Sequence, residues 1–141
     1  MLRTAPVVLL ALIAISPMVA AGEHTKDSLD KVKENLASKK AVLVDVREAK
    51  EWDKGHLVGA QKLSLSDLKR ASTDATVQAE VAKQLPKDRI VYCHCAKGVR
   101  ALMAGDILEK MGYDVRPLAA GYDDLRAAGF AAAPAAAAGK P

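Results

Sequence analysis

The chain has 141 residues, half of them apolar but only 4% aromatic, with 21 Lys and Arg against 17 Asp and Glu for a formal charge of +4. That length suits one domain whose core is built from Val, Leu, Ile and Ala, and it excludes a large multi-site machine. The cations are scattered among acidic residues instead of gathered into basic blocks, which reads as a solvated surface and excludes a nucleic-acid footprint.

The first segment reads as a targeting sequence. Arg3 supplies a positive start, Val7 to Ile15 an uncharged apolar run, Pro17 a helix break, and Val19-Ala20-Ala21 a small-residue cleavage site. Residues 1–21 are therefore expected to be a secretory signal peptide, sending a monomer to the periplasm or outside the cell with no stable membrane association after cleavage. The alternative is a retained anchor, since the uncharged stretch Thr4 to Gly22 approaches the ~20 residues that span a bilayer. At the other end, residues 131–141 are an Ala- and Pro-rich tail with nothing large enough to pack, expected to be disordered. A domain at residues 22–130 remains.

Along that domain, helical and strand patterns alternate. Asp27 to Lys40 has Leu29, Val32 and Leu36 at helical spacing, with Asp27 or Ser28 as its cap. Ala41 to Val46 is an unbroken apolar and β-branched run, the kind buried on both faces of a parallel sheet. Glu48 to Lys54 predicts a short helix ended by Gly55, Ala60 to Leu65 a short strand, and Ser66 or Asp67 the cap of another short helix. Val77 to Leu85 predicts a helix stopped by Pro86, and Arg89 to Cys93 the second strong strand. A helix from Ala101 to Met111 follows, closed by Gly112. Tyr113 to Leu118 reads as a strand and Tyr122 to Ala128 as a last helix. The fold class expected is α/β, an open, mostly parallel five-stranded sheet flanked by helices on both faces.

Between the second strong strand and its helix lies Cys93-His94-Cys95-Ala96-Lys97-Gly98-Val99-Arg100. In parallel sheets, ligands bind at the carboxyl ends of strands, where this loop falls. A helix start leaves its first N–H groups unpaired and carries partial positive charge. Beside it, with Lys97 and Arg100 adding to the field, a thiolate, the reactive form of cysteine, is favoured. Gly98 allows a positive φ that would turn successive N–H groups inward as an anion nest.

Three groups of residues carry a family resemblance. Leu43-Val44-Asp45-Val46-Arg47-Glu48, Glu51-Trp52 and Gly55-His56-Leu57-Val58-Gly59-Ala60 resemble the amino-terminal signature of the rhodanese family. The loop Cys95 to Arg100, Gly112-Tyr113, and Leu118-Ala119-Ala120-Gly121-Tyr122 resemble its second half, in order and at matching separations over residues 27–130. The resemblance implies a sulfurtransferase needing no cofactor or metal. Its cysteine would take sulfane sulfur from a donor such as thiosulfate or a persulfide, and cyanide or a thiol would then accept it. Counting back from Arg100, the family's six-residue loop makes Cys95 the nucleophile, and Cys93 becomes a small buried residue of the strand. The backbone N–H groups of Ala96, Lys97, Gly98, Val99 and Arg100 are the implied substrate contacts. Lys97 would attract the donor's charge, while Arg100 would either line the anion pocket or anchor the loop. Asp45, Arg47 and His56 are read as structural support, and His94 points away from both cysteines.

Other readings of the same loop stay open. A cysteine-dependent phosphatase or arsenate reductase of related fold uses similar parts, though usually in a loop one residue longer. A soft-metal clip on Cys93 and Cys95, a strained, reducible disulfide between them, and a domain that only binds are the others. Ala96 stands where thiosulfate-preferring members often carry arginine, and Ala101 where many single-domain members carry a hydroxyl.

Overall fold

A computed structural model describes residues 22–134; the expected signal peptide at 1–21 and residues 135–141 of the expected tail lie outside the described residues. Strands β1 (Ala41–Asp45), β2 (Gln61–Lys62), β3 (Ile90–His94) and β4 (Val115–Pro117) form one sheet in the order β2-β1-β3-β4. Every pairing is parallel. Parallel neighbours need crossover connections. These contain α2 (Ala49–Lys54), α3 (Leu65–Ala71), α4 (Ala75–Gln84) and α5 (Val99–Lys110), while α1 (Leu29–Ala37) precedes β1 and α6 (Tyr122–Ala127) follows β4.

The α/β architecture is as the sequence predicts, but the sheet has four strands among the described residues, not five. On the edge strand β4, Pro117 has no N–H with which to extend a ladder. The Pro117 carbonyl accepts one bond, from the Thr25 N–H at 2.7 Å. The strand predicted over 60–65 shrinks to two residues because Leu63 and Leu65 turn inward onto β1. Their N–H groups donate to the carbonyls of Asp45 and Val46. Ser64, not Ser66 or Asp67, caps α3, its hydroxyl accepting the Asp67 N–H at 3.2 Å. Asp74 likewise starts α4 two residues before the predicted Val77. Residues 131–133, assigned by sequence to the unpacked tail, are hydrogen-bonded. Val58 N–H donates to Ala131, Ala133 N–H donates to His56, and Leu57 bridges Ala132.

Alternation along the strands sorts side chains into two cores. Val44, Val46, Val91, Cys93 and Cys95 face one layer with Leu65, Leu68, Val81, Leu85, Ala101, Ala104 and Leu108. Ala41, Leu43 and Tyr92 face the other with Val32, Leu57, Leu118 and Leu125. Both cysteines therefore belong to the layer of α3, α4 and α5. No helix among the described residues is long and apolar enough to cross a membrane.

The polar exception to these cores closes β1. The Asp45 carboxylate is fully buried and accepts from the Arg47 backbone N–H at 2.9 Å and from its Nη2 at 2.8 Å. Arg47 also donates to the Gly55 carbonyl at 2.7 Å, and its guanidinium stacks 4.2 Å from the centre of the Tyr122 ring. One buried pair thus ties the end of β1 to the turn after α2 and to the start of α6. Removing one partner of such a pair strands the other charge. Arg47→Met is expected to lose about 3–5 kcal/mol, read as a lower urea midpoint at unchanged slope, and a loss below about 1 kcal/mol contradicts this role.

Candidate active site

The candidate site is the six-residue turn from Cys95 to Arg100, running from the end of β3 into the first turn of α5. Gly98 caps α5 with φ +96°, the left-handed conformation its sequence position called for. That conformation aims the Gly98 N–H at Cys95 Sγ, 3.0 Å away. A side chain at Gly98 would also meet the Ala119 carbonyl oxygen at 2.9 Å. Gly121 is glycine for a different reason: its φ is ordinary, but a methyl there would overlap the carbonyl of Ala96. Next to it, the Tyr122 N–H donates to the Cys95 carbonyl at 2.9 Å. The turn 118–122 is therefore pressed directly against the loop. Cys95 is 1% exposed, its sulfur enclosed by the loop and the turn packed on it.

Charge around the loop comes from few sources. Helix α5, at 12 residues, directs its unpaired first-turn N–H groups and the positive end of its dipole toward the loop. Lys97 is exposed, with no hydrogen-bonding partner among the described residues. Arg100 had two readings, and its side chain takes the anchoring one: Nη1 and Nη2 donate to the two oxygens of Glu51 at 2.6 and 2.8 Å. Glu51 also accepts the Glu48 N–H at 3.0 Å, which fixes the start of α2. The Arg100 fork holds the Glu51 carboxyl down at about 2, and the same pairing raises Arg100. The backbone N–H of Arg100, like that of Val99, remains part of the helix start.

The other residues singled out by sequence support this turn from behind. Asp45 and Arg47 form the buried pair already described. His56 stacks on Trp52 with ring centres 3.8 Å apart and has Nδ1 3.3 Å from the Trp52 carbonyl, holding the turn after α2. His94 is fully buried on the face opposite the cysteines, 3.7 Å from Asp45, and burial lowers its pKa. Both thiols are free. Cys93 lies in the core, its S–H donating to the Ala101 carbonyl at 3.3 Å; burial, and then the nearby Cys95, push its thiol far up. That leaves Cys93 protonated and turned into the core. No group of three or more His, Cys, Asp or Glu side chains among the described residues is placed to hold a metal ion.

Two site residues were not assigned a role from the sequence. Glu51 was part of a motif, and its spacing from Glu48 is that of a helix-capping residue, a signal for α2 but not for Arg100. His24 has no local pattern at all, yet its Nε2 lies 2.9 Å from the Gly98 carbonyl oxygen.

The Arg100–Glu51 pair carries a pH signature. A carboxyl held near 2 in the folded chain, against an ordinary 4.5, contributes stability that is complete above about pH 4.5 and fades as pH falls toward 2. The urea midpoint of the wild type is expected to fall through that window more steeply than that of Glu51→Gln; parallel curves contradict the pairing.

The family profile described as Rhodanese-like domain matches residues 28–128, from the cap of α1 past the end of α6. An uncharacterized protein of Bacillus subtilis, YqhL, is 35% identical over 74 residues, 52% of this chain and 51% of that one. The probable adenylyltransferase/sulfurtransferase MoeZ of Mycobacterium tuberculosis is 32% identical over 77 residues, 55% of this chain and 18% of that one. The chain thus spans about half the length of the first of these relatives and under a fifth of the second. Among solved structures, the human single-domain sulfurtransferase TSTD1 superposes with a TM-score of 0.60 at 30% identity, covering 70% of this chain and 92% of that one. The Saccharomyces cerevisiae single-domain sulfurtransferase RDL2 shares the fold, with a TM-score of 0.58 at 24% identity over 74% of this chain and 94% of its own. Sheet, flanking helices and the Cys95 loop all lie inside the matched span, and the chain belongs to the rhodanese-like family.

Proposed function

We propose that the protein is a sulfurtransferase that carries sulfane sulfur as a persulfide on Cys95. The observation that carries this reading is the Gly98 N–H resting on Cys95 Sγ at 3.0 Å inside a six-residue turn that opens a helix. A donor to sulfur at that distance stabilises a thiolate, and the helix start favours the anions that arrive and leave.

With thiosulfate as donor, the Cys95 thiolate attacks the outer sulfur. A sulfur–sulfur bond forms on the enzyme, the donor's sulfur–sulfur bond breaks, and the electron pair departs with sulfite. Cyanide or a thiolate then attacks the terminal sulfur, taking it as thiocyanate or as a new persulfide and restoring the Cys95 thiolate. No net oxidation occurs and no cofactor is needed. Splitting the transfer in two lets each step be a simple displacement at sulfur. Backbone N–H groups from Ala96 to Arg100 serve the bound group in this scheme, because fixed donors need no reorganisation during reaction. Lys97, exposed at the loop, is the side chain that draws in an anionic donor. Arg100 contributes through its anchor on Glu51.

Family membership and the similarity to single-domain sulfurtransferases support this assignment. The turn from Cys95 to Arg100 also has six residues, one fewer than the loop with which a phosphatase of related fold cradles its phosphate. Thiocyanate formation from thiosulfate and cyanide is the direct assay. Cys95→Ala is expected to abolish it and Cys93→Ala to keep it within about threefold of wild type, since the Cys93 sulfur is directed to the Ala101 carbonyl. Lys97→Ala is expected to raise KM for thiosulfate about threefold to tenfold with kcat unchanged, an effect that shrinks at high salt because the cation is exposed. Turnover surviving in Cys95→Ala, or phosphate-ester hydrolysis in place of sulfur transfer, overturns the proposal.

A further inference from the structure

We infer that His24 is a positioning residue of the anion cradle, holding the first peptide of α5 so that the Val99 N–H faces the bound anion. His24 belongs to the segment that precedes α1, and that segment is fixed beside the site. Thr25 donates its N–H to Pro117 at 2.7 Å, and its hydroxyl oxygen accepts the Asp27 N–H at 3.2 Å. From there the imidazole reaches across to the loop, with Nε2 2.9 Å from the Gly98 carbonyl oxygen. A carbonyl only accepts, so His24 is the donor and its Nε2 carries hydrogen.

That carbonyl belongs to the peptide joining Gly98 to Val99. In a trans peptide the C=O and N–H point in opposite directions. Holding the oxygen toward His24 therefore directs the Val99 N–H the other way, out of the helix start. The helix alone grips this peptide weakly: the Leu102 N–H reaches the same oxygen at 3.4 Å, well beyond the His24 distance. A donor on the oxygen also polarises the peptide, which makes its N–H a stronger donor in turn. Gly98 has a left-handed backbone and no side chain to lock it, so an external brace has work to do at this position. His24 touches neither the sulfur nor the substrate; it acts through the peptide.

The inference rests on the sulfur-transfer reading for what the cradle normally binds, but its test does not. Cys95 can be alkylated by iodoacetate, an anion, or by iodoacetamide, its neutral counterpart of similar size. Both consume the same thiolate, so the ratio of their rates reports how well the loop receives an anion and cancels any change in ionisation. At pH 8.5, where an ordinary imidazole is uncharged, the ratio is expected to fall about threefold to tenfold in His24→Phe, the size expected for one lost hydrogen bond. His24→Gln, whose amide nitrogen can occupy the place of Nε2, is expected to keep the ratio within about twofold of wild type. KM for thiosulfate should rise in His24→Phe by a factor similar to the fall in ratio, with kcat held. An unchanged ratio in His24→Phe, or an equal fall in His24→Gln, overturns the inference. Wild-type protein that turns over no thiosulfate would count against sulfur transfer instead, while the alkylation ratio still decides the role of His24.

Discussion

The contact on which the site depends is the one between Gly121 and the Ala96 carbonyl. It is closer than any side chain allows, so the turn after β4 lies flat on the cysteine loop. Once these two segments touch, the rest of the loop is constrained in sequence. The Tyr122 N–H takes the Cys95 carbonyl, the loop reverses at Gly98 in the left-handed conformation, and the Gly98 N–H arrives on the sulfur. The Cys95 sulfur is thus placed by backbone groups, which are less adjustable than side chains. A methyl at Gly121 would separate the segments and lose all three arrangements together.

Charged side chains mostly serve this geometry from outside. Arg47 is committed to Asp45 and to the carbonyl of Gly55, and Arg100 to Glu51. The first ties the end of β1 to the turn after α2, and the second ties the start of α5 to α2 itself. On the sulfur-transfer proposal, the helix start and Lys97 remain for an arriving anion, and a donor met this way is recognised by charge and size more than by shape. Cys95 itself is almost wholly buried.

Much of this was legible in the sequence where the signal is local. The runs Ala41 to Val46 and Arg89 to Cys93 carry apolar side chains on both faces, and they form the two central strands. Gly98 between a strand and a helix marked the left-handed cap that opens α5. What the sequence concealed is set by long-range contact. Arg100 meets Glu51 across 49 residues and Gly98 meets His24 across 74, and neither pairing leaves a periodic trace. The lack of a fifth strand among the described residues and the shortened β2 have a similar origin. Pro117 spoils an edge, and Leu63 and Leu65 turn inward to bury, choices decided by neighbours and not by strand propensity. Ser64 outcompeted later caps because its hydroxyl reaches an orphan N–H in the folded turn.

The extra sulfur proposed on Cys95 is read directly by intact mass spectrometry. Protein incubated with thiosulfate and then desalted is expected to gain the mass of a single sulfur atom. The gain should persist in Cys93→Ala, vanish in Cys95→Ala, and reverse on adding cyanide. A wild-type protein that gains no mass, or a gain that survives loss of Cys95, would contradict the account.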